Sequence, residues 1–170
     1  ELKTPPSPNL KTDYAIALYP SLCLFEGTDI SVGRGTETPF EVFGSPYLDK
    51  TIYTYQFTPT ARKGAMSPPF LNQVCYGMDF NSSEMAANHV VSIAANSFTI
   101  EYLLNAYKNW TGNKSNFFLK NLFFDKLAGN NTLRQQIIAG KSEDEIRKSW
   151  KPALSNFKKI RSKYLLYKDF

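Results

Sequence analysis

The 170-residue chain is poor in the side chains that hold metals and build covalent or redox centres. It has one histidine, His89, and two cysteines, Cys23 and Cys75. Neither H-E-x-x-H nor C-x-x-C occurs, so a zinc site of the usual ligand types cannot be assembled and no metal is expected. Cys75 and His89 come with no orienting third group or local signature, which sets aside a cysteine–histidine nucleophile. Both cysteines sit in apolar surroundings and read as buried thiols, with a disulfide in an oxidising compartment as the weaker alternative. No apolar run approaches the roughly 20 residues of a membrane-spanning helix, so no transmembrane segment is expected. Gly33-Arg34-Gly35 begins like a dinucleotide loop. However, Thr38 stands where G-x-G-x-x-G requires glycine, and Pro39 disfavours a helix there. No cofactor is expected.

What remains is a globular composition, 42% hydrophobic, 15% aromatic and 21% charged. This length suits one domain that buries roughly two thirds of its unfolded surface. The net charge is +5, and Lys148, Lys151, Lys158, Lys159, Arg161, Lys163 and Lys168 crowd the C-terminal region. Without a nucleic-acid motif these read as a solvated helix face, and nucleic acid is not expected as a partner.

Along the chain, residues 1–12 form a proline-rich lead-in to a domain spanning 13–170. Thr12 is placed to cap a short helix that Pro20 should end. Residues 21–25 are apolar enough for a buried strand opening into a loop at Glu26. Two β-rich runs, 51–58 and 73–80, are plausible sheet neighbours, whereas 36–46 has too many breakers for a helix. Past Ser83 the pattern turns helical, although 84–96 is ambiguous. Residues 98–112, with Phe98, Tyr102, Leu103 and Leu104, predict an amphipathic helix, and 116–127 a short helix buried on most sides and stopped by Gly129. Ser142 and Glu145 have capping-box spacing, and Ile146, Trp150, Leu154, Phe157, Ile160 and Tyr164 recur at helical steps, with Pro152 as a possible kink. The expected fold is α+β, a small mixed or antiparallel sheet followed by several helices.

Glu26 is where chemistry concentrates. Flanked by Leu24 and Phe25, its carboxylate would lose hydration under a cover, which favours the proton-bearing form and suits a general acid or base. Arg34, set between glycines eight residues on, can reach either Glu26 or an anionic substrate. Thr28, Asp29 and Ser31 add polar groups to the same loop. The alternative is that Glu26 and Arg34 merely pair and tie the loop down, and spacing leaves both open.

Glu26-Gly27-Thr28, then Ser31, Gly33-Arg34-Gly35-Thr36, Pro39-Phe40-Glu41 and Gly44 with Pro46, resemble the C-terminal half of a bacterial family once known only as a domain of unknown function and associated with NamZ-type exo-β-N-acetylmuramidases. The likeness continues through 57–60, Cys75-Tyr76-Gly77, 124–129, Leu133-Arg134, 146–150 and 161–167, so it covers nearly the whole chain. The resemblance implies an N-terminal Rossmann-like domain as partner in the same protein. It also implies a pocket between the two domains and a first glutamate in a Glu-His-Gly motif of the other half. By the same resemblance Glu26 is the second, catalytic glutamate, and Thr28, Ser31, Arg34 and Thr36 line the substrate-binding loop. Asp29 departs from the usual asparagine. The implied activity is release of terminal N-acetylmuramic acid from peptidoglycan-derived saccharides, in the periplasm or outside the cell, with this chain inactive alone. The rival is a non-catalytic wall-binding module in which Tyr47, Tyr53 and Tyr55 stack against sugars.

Overall fold

The computed structural model describes residues 4–81 and 98–167. His89 and the ambiguous 84–96 segment lie outside the described residues.

Thr12 caps α1 (Asp13–Leu22), its Oγ1 accepting the Ala15 amide at 3.0 Å. The helix does not stop at Pro20, and residues 21–25 are not a strand. Helix α1 runs through the proline to Leu22 and tightens into a 3-10 turn, Cys23–Gly27. A proline inside a helix costs about 3 kcal/mol. Continuing the coil offsets this by burying Leu18, Ser21, Leu22, Leu24 and Phe25. A short apolar run does not by itself distinguish buried helix from buried strand, and here packing decided.

The sheet is antiparallel, with β1 (Val42–Ser45) and β2 (Tyr55–Phe57) on either side of β3 (Cys75–Asp79). The pairing expected between the two β-rich runs is present, Gln56 facing Tyr76. The first run is shorter than expected because Asp49 folds its start into a turn. Its Oδ1 accepts from the Thr51 amide and hydroxyl, and its carbonyl accepts from the Ile52 and Tyr53 amides. Strand β1 is buried at all four positions and so lacks the alternation that would have marked it in sequence.

Helices α2 (Glu101–Lys108), α3 (Phe123–Ala128), α4 (Thr132–Ile138) and α5 (Glu143–Arg161) complete the described fold. The single helix expected over 116–127 is broken. Lys114–Asn116 is a 3-10 turn, the backbone from Phe117 to Leu119 pairs with residues 27–29, and α3 starts only after Asn121 accepts the Phe123 amide. Gly129 does stop α3, at φ 76°. The capping box at Ser142 and Glu145 is closed in both directions. Helix α5 passes through Pro152. Ile146 is fully buried and Trp150 packs on the core, but Leu154, Phe157 and Ile160 are exposed, as is Tyr164 beyond the helix end.

One aromatic-rich core joins these parts. Phe25 stacks on Phe43 of β1 at 4.7 Å, and Phe118 meets Phe124 of α3 edge-on at 4.8 Å. Between them lies Gly27, where an added Cβ would come within 2.4 Å of the Phe124 Cα. Backbone, unlike a flexible side-chain tip, cannot step aside cheaply. Gly27→Ala should therefore destabilise the chain by about 1–3 kcal/mol, read as a lower urea midpoint.

Candidate functional site

The segment from Glu26 to Thr36 is held to the body of the protein at three places. Leu119 donates its amide to the Gly27 carbonyl at 3.0 Å and Asp29 donates to Phe117 at 2.8 Å, so Thr28 and Phe118 pair as a one-residue antiparallel bridge. Ser31 and Gly44 exchange both backbone hydrogen bonds, at 2.8 and 2.9 Å. The Thr60 amide then reaches the Gly35 carbonyl at 3.0 Å. Gly33 and Gly35 sit at φ 76° and 85°, backbone that L side chains rarely adopt. This lifts Arg34 onto a tight turn aimed back at Glu26.

The Arg34 Nη2 donates to the Glu26 Oε2 at 2.7 Å, while the guanidinium lies over the Phe40 ring, 5.2 Å from its centroid. Phe40 adopts φ 64°, unfavourable for a bulky residue. Its ring thereby supports Arg34 on one side and meets Tyr19 at 5.2 Å on the other. The pair keeps some solvent contact, with side-chain exposures of 32% for Arg34 and 21% for Glu26. A partner can therefore still reach the carboxylate.

Beside the pair is a cavity of about 150 Å³, lined by Glu26, Thr28, Asp29 and Arg34 together with Ile30, Val32, Pro69, Phe70 and Leu119. Of the expected site residues, Glu26, Arg34 and Thr28 meet there. Ser31 and Thr36 are not on the cavity wall. The hydroxyls of all three small residues serve the loop itself. Thr28 Oγ1 donates to the Phe25 carbonyl, Ser31 Oγ accepts the Gly33 amide, and Thr36 Oγ1 donates to the Gly33 carbonyl. Sequence reasoning missed Phe40 and the apolar wall of Pro69, Phe70 and Leu119, because segments remote in sequence bring them in. The cysteines are unpaired thiols, and burial pushes Cys75 up to about 12. Tyr53 is core, Tyr47 packs on Trp110 and Phe70, and Tyr55 lies beside Phe57.

The comparisons with known proteins agree along the chain. The family profile described as exo-β-N-acetylmuramidase NamZ, C-terminal, matches residues 17–167. The chain belongs to the NamZ C-terminal family. It is 33% identical over 171 aligned positions to the peptidoglycan β-N-acetylmuramidase NamZ of Bacillus subtilis, covering 95% of this chain and 40% of that protein. A DUF1343 family protein of Bacteroides fragilis has a crystal structure that superposes with a TM-score of 0.84 at 43% identity, covering 99% of this chain and 45% of that one. A second DUF1343 protein of B. fragilis shares the fold, with a TM-score of 0.56 at 18% identity over 96% of this chain and 45% of its own. The chain thus spans less than half the length of the relatives it matches.

Burial raises the Asp29 carboxyl above its ordinary value of 3.8. Between that value and its raised one, the unfolded chain binds fewer protons at this site than the folded chain, so stability falls as pH rises through the interval. Asp29→Asn removes this loss. The variant should match wild type near pH 3 and gain on it by pH 7, by about 1–4 °C in melting temperature. A difference that stays constant with pH would show the carboxylate to be fully solvated.

Proposed function

We propose that the chain is the C-terminal part of a peptidoglycan glycoside hydrolase that releases terminal N-acetylmuramic acid, contributing the Glu26 carboxylate and its loop to an active site shared with an N-terminal, Rossmann-like domain. The observation that carries this reading is the Glu26–Arg34 pair. It is an ionised couple on a loop fixed at three points, open to solvent beside a small cavity, in a member of the NamZ C-terminal family. The relative named as a peptidoglycan β-N-acetylmuramidase is more than twice as long as the matched region, which supports a second contributing domain.

Glycoside hydrolysis uses two carboxyl groups, one giving a proton to the leaving oxygen and one serving as base or nucleophile. Glu26 is suited to such a place because the turn before it buries Leu24 and Phe25 and leaves its own head at the surface. Arg34 both orients that head and carries positive charge towards a ligand. N-acetylmuramic acid bears a lactyl carboxylate, the group a guanidinium fork would recognise.

A non-catalytic wall-binding module is the second reading. It is favoured by a separate cavity of about 630 Å³ in which Tyr53 and Tyr55 stand with Asn105 and Asn109. Tyr53 is only 4% exposed, too little to offer a stacking face.

Glu26→Gln in the full-length enzyme should lower kcat on a chromogenic N-acetylmuramide by at least ~100-fold, with folding retained by circular dichroism. Unchanged turnover points to the binding module. Arg34→Ala should cost a muramic substrate about 1–3 kcal/mol more in transition-state binding than a glucosamine analogue. Equal losses on the two substrates would reduce Arg34 to a support for Glu26.

A further inference from the structure

Helix α5 is anchored to the domain at one end only. Ile146 has no exposed surface and Trp150 packs on the core, but every residue from Lys151 to Ile160 is exposed. At about 3.6 residues per turn, Leu154, Phe157 and Ile160 fall on the same face as Ile146 and Trp150. One apolar stripe therefore runs along the helix, covered at its start and bare beyond. Tyr164, Leu166 and Tyr167 extend the bare surface past the helix end, Leu166 at 90% exposure. Helix without packing is marginal in water, and Pro152 costs this half of α5 a backbone hydrogen bond. Where the bare stretch begins, Trp150, Leu154 and Phe157 wall a cavity of about 610 Å³ together with Gln136 and Ser149. Gln136 is 7% exposed. Its Nε2 donates to the Ser149 Oγ at 2.9 Å, that hydroxyl donates on to the Ile146 carbonyl, and its Oε1 has no partner among the described residues. Buried acceptors are seldom left so, and the cavity has the character of half an interface.

We propose that the bare stripe of α5 and the cavity at its root are the seat of the N-terminal half of the same protein. The chain covers 40% and 45% of the lengths of two relatives and matches a profile described as C-terminal, so more than half of such a protein lies on its N-terminal side. A second copy fits the stripe less well. From Ile146 to Tyr167 the sequence has no acidic residue, while Arg147, Lys148, Lys151, Lys158, Lys159, Arg161 and Lys163 are basic. Two such helices laid face to face would bring like charges together, whereas an apolar patch rimmed by acidic groups would complement them. Trp150 also borders a smaller cavity, about 300 Å³, whose wall includes Cys23 and Leu24 of the turn that carries Glu26. A domain seated on α5 thus lies next to that turn, which accords with the shared site proposed above without depending on its chemistry.

The test uses the full-length protein at concentrations where light scattering reports a monomer. Phe157→Cys should react with a thiol-modifying reagent at least ~10-fold more slowly than Lys159→Cys, which lies on the opposite face of the same helix. With p-benzoylphenylalanine in place of Leu154, irradiation should join that position to residues N-terminal of this domain within one chain. Labelling rates within ~3-fold of each other would show the stripe to be solvated and overturn the proposal. So would a crosslink between two chains, a crosslink confined to this domain, or slow labelling of Phe157→Cys that appears only when anionic phospholipid vesicles are added. Should either replacement prevent folding, the same probe at Ile160 is held to the same criteria. None of these readouts involves turnover, so an enzyme inactive on every muramide would count against the glycosidase reading and leave this inference standing.

Discussion

Everything at the site depends on where Phe25 sits. Its ring has no exposed surface and stacks on Phe43, which fixes the 3-10 turn against the sheet. A turn with Leu24 and Phe25 buried leaves Glu26 little choice of direction, and its carboxylate emerges at the surface. Gly27 then admits α3 to backbone contact, which holds the same turn from the other side. An aromatic side chain of this size contributes about 2–3 kcal/mol on burial, several times what a partly exposed ion pair supplies. The Glu26–Arg34 pair therefore does not hold the loop in place. Packing holds it, and the pair uses the position so provided.

That ordering explains why the loop carries so many internal hydrogen bonds. A catalytic or binding group needs positional accuracy of about half an ångström, and loops ordinarily lack it. Here the backbone between Gly27 and Gly35 is paired to three separate segments, and Thr28, Ser31 and Thr36 spend their hydroxyls on the turns between those anchors. Arg34 inherits the precision through Gly33 and Gly35. A lysine in its place would keep the charge but lose the flat contact with Phe40.

What was legible in sequence was local. The capping box at Ser142 and Glu145, the Thr12 cap and the Gly129 stop each involve a few neighbouring residues whose chemistry admits one outcome. The α+β class and the pairing of the two β-rich runs were likewise readable, because composition and turn residues carry them. The failures were decided at long range. Residues 21–25 became helix and turn because Phe25 had Phe43 to meet, and Phe117 to Leu119 left the helical pattern to pair with residues 27–29. The apolar stripe of α5 shows the opposite error. Its helical period was correct, but period alone does not say which turns are covered, and Leu154, Phe157 and Ile160 are exposed. At the site, residue types and spacing left Arg34 able to reach either Glu26 or a substrate, and the fold brings it to Glu26. Phe40 beneath the guanidinium and the wall from Pro69 and Phe70 belong to the fold.

Buried or half-buried carboxylates are sorted here by how fully their oxygens are used. Glu41 is nearly buried, with one oxygen taking the Thr12 hydroxyl and the other the Asn81 amide at 2.7 Å. Glu143 is similarly enclosed and accepts from Thr99, the Ile100 amide and Arg147, which locks the start of α5 to the start of α2. Both oxygens of each are engaged, which leaves these carboxylates less to offer a ligand. Among the described residues, Glu26 is committed through one oxygen to one guanidinium, and the Asp29 carboxyl accepts no hydrogen bond. Leaving a half-buried carboxyl without a donor carries a desolvation cost that a solvated or paired residue would avoid. The fold tolerates that cost three residues from an ion-paired glutamate and on the same cavity wall. At Glu41 and Glu143 both oxygens are engaged by donors from separate segments. The difference in treatment is therefore a property of place, since Glu26 and Asp29 border a cavity whereas Glu41 and Glu143 tie separate segments together.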